Sequence, residues 1–306
     1  RASLKPVLCR LTGCESVTDS TLDEAILEVA RRGIPTVRGL SSGHSGASGD
    51  LGLFVAARVL QDEFRTNQAA SQGLLQTLVE SDLETQLLLV IPIDPFKGYL
   101  DDLTHAIGKA SNQRPDLIIV GVRLSDSHVS LKLTAIEVKY RSAKEPMPVA
   151  ACQEALGQSK SLADLFGELR KRSLDPELSM WKLALQHLLT SIIGFGFRVY
   201  SQQSHVAKHG PKWSGYHARV VEAILSDETA LEIDMRGRLI VIDGSTSSGP
   251  RDTDGDGFKE TMVLSHGDAA SVVKDDTPAI YGAIRAGLSD WGVFPAARAA
   301  LGSGEA

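Results

Sequence analysis

Apolar positions along this chain switch between a helical period and a strand period, and the switches mark out its elements. Leu22, Ala25, Ile26, Val29 and Ala30 recur at helical spacing and predict a helix over residues 18–32, with Asp19 or Ser20 as cap and Gly33 as stop. A short strand is expected over 34–38, then a flexible Gly/Ser loop over 39–49. Residues 50–60 predict a buried helix with Asp50 in its first turn, and residues 72–83 a further helix. The apolar run 87–93 predicts a strand, followed by a polar connection over 96–112. Two more strands, 116–122 and 131–141, form a predicted hairpin. Helices are expected over 149–170 and 180–193, after which 194–213 either extends the second helix or turns into a strand at 197–200. Strands are expected at 219–225, 239–243 and 261–265, and disorder from Gly302.

This order of elements predicts an α/β fold, with helices flanking a mixed sheet. The stretch after about residue 215 is expected to be a β-rich accessory lobe, dividing the chain into 1–214 and 215–306.

The hairpin carries charge where a core strand should not. Arg114-Pro115-Asp116 opens its first strand and Glu137-Val138-Lys139 lies near the end of its second. Side chains alternate along a strand, so Glu137 and Lys139 share a face while Val138 points to the other. An antiparallel neighbour sets Asp116 beside them. Two carboxylates that can share a hard divalent cation, with an ammonium one step away, suit phosphodiester hydrolysis. The plainer alternative is a solvated strand face holding an ion pair of little energetic worth.

Pro-Asp, a spacer of hairpin length and Glu-x-Lys together resemble the signature of the PD-(D/E)XK nuclease superfamily of restriction and DNA-processing enzymes. The resemblance spans roughly residues 45–170 and implies a restriction-endonuclease-like αβββαβ core. It implies that Asp116, Glu137 and the Val138 carbonyl hold Mg²⁺, for which Mn²⁺ can substitute, and that Lys139 orients water or offsets phosphate charge. It also implies an acid from the first core helix, for which Asp50 is the candidate and Asp94 the runner-up. A glutamine from the helix after the lysine strand is expected as well, and Gln158 is preferred to Gln153. Tyr140, Arg141 and Lys144 are candidate DNA contacts. Arg170, Lys171 and Arg172 are better explained by the helix dipole.

More narrowly, Leu88-Leu89-Val90-Ile91-Pro92-Ile93-Asp94-Pro95, with the two later motifs, looks like the nuclease-like portion of HerA or FtsK-type ATPases in bacterial anti-phage and phosphorothioation-dependent restriction systems. That implies a larger ATPase or helicase partner, with DNA as substrate.

Composition changes this picture only at the margins. A chain of 306 residues with 42% hydrophobic and 23% charged positions is ordinary for a globular protein. A net charge of -6 supplies no global attraction to nucleic acid, so any grip on DNA must be local. Cys9, Cys14 and Cys152 show no metal-ligand spacing and no disulfide framework, which fits a reducing cytoplasm. No apolar run is long enough to span a bilayer. Self-association is left open, as is a binding module that keeps the fold with little or no cleavage.

Three other motifs are weaker. Gly43-His44-Ser45-Gly46-Ala47 imitates a nucleophile elbow that would make Ser45 a serine hydrolase nucleophile, but Ala47 replaces the last glycine and no strong strand leads in. The same loop lacks a P-loop ending. Residues 252–257 open like a calcium loop, yet Val263 stands where the closing bidentate Glu is required, so a polar hairpin loop is expected there.

Overall fold

The computed structural model describes residues 44–65, 79–80, 84–109, 114–141, 145–201, 204–207, 209–244, 247–274 and 291–296. The elements expected over 18–32 and 34–38 and the tail from Gly302 lie outside these residues, as do Cys9, Cys14 and Lys144.

Helix α1, His44–Arg65, precedes strands β1, Val79–Glu80, and β2, Glu84–Pro92. A 3₁₀ turn, Asp94–Phe96, leads into α2, Lys97–Ala106, and then the hairpin of β3, Leu117–Ser125, and β4, Val129–Arg141. Helices α3, Val149–Ser173, α4, Ser179–Ser201, α5, Ser204–Ala207, and α6, Gly210–Leu225, follow. Strands β5, Thr229–Ile233, β6, Arg238–Asp243, β7, Gly249–Arg251, and β8, Thr261–Ser265, lead to α7, His266–Lys274.

Among the described residues, eight strands join one mixed sheet in the order β1-β2-β3-β4-β6-β8-β7, with β5 also paired to β4. β2, β3 and β4 form an antiparallel meander. β4 then has two parallel neighbours: β5 along Val129–Leu133 and β6 along Ile136–Arg141. Parallel pairing needs a long crossover, and α3 to α6 supply it on one face of the sheet.

Both faces are buried, which explains the near-continuous apolar runs of β2, β3 and β6. One face, with Leu88, Val90, Ile119, Ile136 and Ile240, packs on Leu51, Phe54, Val55 and Val59 of α1 and on Ala269 and Val272 of α7. The other, with Leu89, Ile91, Val120 and Leu133, packs on Leu162 and Phe166 of α3, Leu188 and Ile192 of α4 and Val220 of α6. Each such buried side chain contributes about 1.5–3 kcal/mol. The outer edge of β2 is closed by a side chain: the Tyr200 hydroxyl accepts from Val90 N at 2.9 Å and donates to Val90 O at 3.3 Å, satisfying backbone that would otherwise be orphaned in the core.

Several local expectations are corrected. Residues 44–49 are helical, the first turns of α1, so Asp50 lies inside that helix, where its backbone alone is described. Ser45 therefore sits within a helix and not on a strand-to-helix elbow, which removes the geometry a serine nucleophile requires. The connection 96–112 contains α2, whose Leu100 and Leu103 are buried. Of the two readings of 194–213, extension of the helix holds at 197–200, which continue α4 because Phe197 and Tyr200 both face the core at helical spacing. The strand expected at 219–225 is the last part of α6; its run of apolar residues suits either state, and Trp213, Val220, Ala223 and Ile224 bury one helical face. The residue 214 boundary falls inside α6, and β6 and β8 beyond it belong to the same sheet as the hairpin.

Candidate active site

The register of the β3–β4 hairpin places Leu117 against Ile136, so Asp116 and Glu137 stand opposite each other one step further on. The backbone locks the pair together: Val138 N–H donates to Asp116 Oδ2 at 2.9 Å. Parallel β6 covers the other side of this segment, pairing Glu137 with Leu239 and Lys139 with Val241. Glu137 is therefore 3% exposed although it is a carboxylate.

Two effects push the Glu137 carboxyl up to about 8: burial first, then the neighbouring Asp116 charge, against the lowering influence of Lys139. Asp116 is raised as well, by burial, while the Val138 N–H and Lys139 hold it down and Asp94 adds a little upward push. Asp94 thus lies close enough to act on Asp116 from just beyond the end of β2. Glu137 Oε2 is buried with no hydrogen-bond partner. An orphaned carboxylate oxygen beside a second carboxylate is a strong demand for positive charge, and a hard divalent cation fits it.

Lys139 meets that demand only partly. Its Nζ donates to Glu137 Oε1 at 2.5 Å and to Gln158 Oε1 of α3 at 3.1 Å, and it remains 36% exposed. Gln153, one turn and more away on α3, turns elsewhere and donates to Thr253 O at 3.4 Å. So the fold brings together Asp116, Glu137, Val138, Lys139, Gln158 and, more loosely, Asp94.

The expected DNA contacts are largely engaged inside the protein. Tyr140 stacks on His266, with ring centroids 5.4 Å apart. Arg141 pairs with buried Asp243 at 3.3 Å. Arg172 is held by Glu168 at 2.7 Å and lies over Trp181, so its role is structural.

A second acidic group includes the calcium-loop-like opening that the sequence reads as a polar hairpin loop. Asp252, Asp256 and Glu260, on the loop between β7 and β8, offer carboxylate oxygens within 4.8 Å of one another, a surface cluster able to coordinate a divalent metal. Glu260 holds the ninth place counted from Asp252, a spacing that could have drawn attention to it.

No protein-family model, curated protein or solved structure matches this chain. Among the described residues, no helix is long and apolar enough to cross a membrane.

Proposed function

We propose that this chain is a Mg²⁺-dependent DNA endonuclease module of the restriction-endonuclease-like type, acting in a bacterial restriction or anti-phage system beside a larger ATPase. The observation that carries this reading is buried Glu137 facing half-buried Asp116, with its orphaned oxygen and a lysine held 2.5 Å away. The antiparallel β2–β3–β4 meander, with α1 before it and parallel β6 reached after α3, agrees with the αβββαβ core that the motif implies.

Asp116, Glu137 and the Val138 carbonyl are the residues that would hold the cation. When bound, it would offset charge gathering on the scissile phosphate and sharpen the acidity of a water. Lys139 presents its ammonium group from between Glu137 and Gln158, so its one remaining hydrogen can donate to a phosphate oxygen or to the attacking water. Gln158 fixes that position from α3. Asp94, exposed at the end of β2, is better supported than Asp50 as the further acid, because its charge is felt by Asp116.

The test is cleavage of plasmid and linear DNA by purified protein with Mg²⁺, Mn²⁺ or chelator. Metal-dependent nicking that is lost in Asp116→Asn and in Lys139→Ala, each still folded by circular dichroism, is the expected result. Cleavage by Lys139→Ala at the wild-type rate would refute the catalytic assignment. A binding module with the same fold would instead retain DNA affinity with no metal-dependent cutting.

A further inference from the structure

We infer that the loop between β7 and β8 is a structural Ca²⁺ site, separate from the Asp116–Glu137 pair, with Asp252, Asp256 and Glu260 as its carboxylate ligands. Counting from Asp252, carboxylates fall at places one, three and five, with Gly257 at six for the sharp turn that calcium loops need. The sequence argument against such a site was Val263, which occupies place twelve. The structure answers it differently: Val263 is buried in β8, and Glu260 at place nine closes the loop.

The observation that points to a ligand is Glu260 itself. It is 1% exposed, and its carboxylate turns toward Asp252 and Asp256. One oxygen, Oε1, accepts from Thr253 N and Asp254 N, each at 2.8 Å, while Oε2 is buried with no partner. Arg238 lies near enough to feel this charge, but its terminal nitrogens go to Gly237 O and Asp234. A buried carboxylate oxygen left without a donor is costly, and a cation seated among the three carboxylates would satisfy it.

The other two ligands are pre-set by the backbone. Asp252 accepts from Gly255 N and Gly257 N, each at 2.6 Å, and both glycines take positive φ, 77° and 87°. Asp256 accepts from Phe258 N at 2.9 Å and from Arg236 at 2.6 Å, an exposed arginine that a divalent ion would displace. Three carboxylates on a compact loop suit Ca²⁺, which takes six to eight oxygens in flexible geometry; Mg²⁺ keeps its waters and favours phosphates. The loop also grips α3, through Gln153 to Thr253 O and Lys160 to Asp254, on either side of Gln158. Filling it would brace the helix that positions Lys139.

Tb³⁺ provides a direct probe, since Trp291 donates to Lys259 O at 3.0 Å and its indole therefore sits beside the loop. In the full chain, tryptophan excitation should give Tb³⁺ emission that Ca²⁺ competes away at far lower concentration than Mg²⁺. Asp256→Asn, at an exposed position, and Glu260→Gln should weaken the tryptophan-sensitised Tb³⁺ binding at least tenfold. Ca²⁺ should raise the melting temperature of wild type but not of Asp256→Asn. Wild-type Tb³⁺ affinity in both loop variants would overturn the proposal. So would a wild-type protein that shows neither emission nor a Ca²⁺-dependent melting shift. None of these readouts depends on DNA cleavage, so the site stands or falls apart from the proposed function.

Discussion

Replacing Glu137 by Gln should make the metal-free protein's stability much less sensitive to pH. In the folded chain this carboxyl keeps its proton up to about pH 8, against an ordinary value of 4.5. Between those values the folded state binds more protons than the unfolded state, so stability falls as pH rises and levels off above 8. Each unit is worth about 1.4 kcal/mol, giving a loss of about 3 kcal/mol by pH 7 and about 5 kcal/mol above pH 8. Glutamine is nearly isosteric and cannot ionise, so it removes this penalty and relieves Asp116, with which Glu137 titrates as a pair. The forfeited ion pair with Lys139 is a smaller effect, because that ammonium group remains partly in water. The assay is urea denaturation in chelator from pH 5 to 9 for wild type and Glu137→Gln. The two should converge toward pH 5 and separate by several kcal/mol at pH 8.5, with the variant the more stable. Parallel curves across that range would mean that Glu137 is not the buried, charge-coupled group described above, and the metal-site argument would lose its electrostatic basis.

Two further outcomes are expected. DNA binding by the isolated chain should be weak, with a shallow dependence on salt, because the net charge is -6 and Arg141 is engaged with Asp243; a steep slope in a filter-binding or anisotropy series would reveal a broad basic platform instead. Gly121→Ala should lower stability by about 1–3 kcal/mol in thermal denaturation, since the added Cβ would lie 2.1 Å from Val293 O and must push the 291–296 segment off β3; an unchanged melting temperature would mean that this segment does not pack there.

What the sequence determined by itself was the hairpin and the charges it carries. Period-two alternation put Glu137 and Lys139 on one face before any fold was known, and apolar runs marked β2, β3, β6 and β8 because strands buried on both faces must be apolar throughout. It also marked α3 and its residue Gln158 by helical spacing. What it left open was whatever depends on contacts distant along the chain. Residues 219–225 read as a strand, because a short apolar run fits either period and only the packing of α6 against β4 and β5 makes it helical; α2 was hidden because so short a helix shows few apolar positions. Placing β6 beside β4 was a tertiary decision, since parallel pairing across a crossover of four helices leaves no local mark. That pairing is what buries Glu137. The same holds for Glu260: its spacing from Asp252 was visible, but only burial at the start of β8 leaves one of its oxygens without a partner, and burial is a property of the assembled sheet.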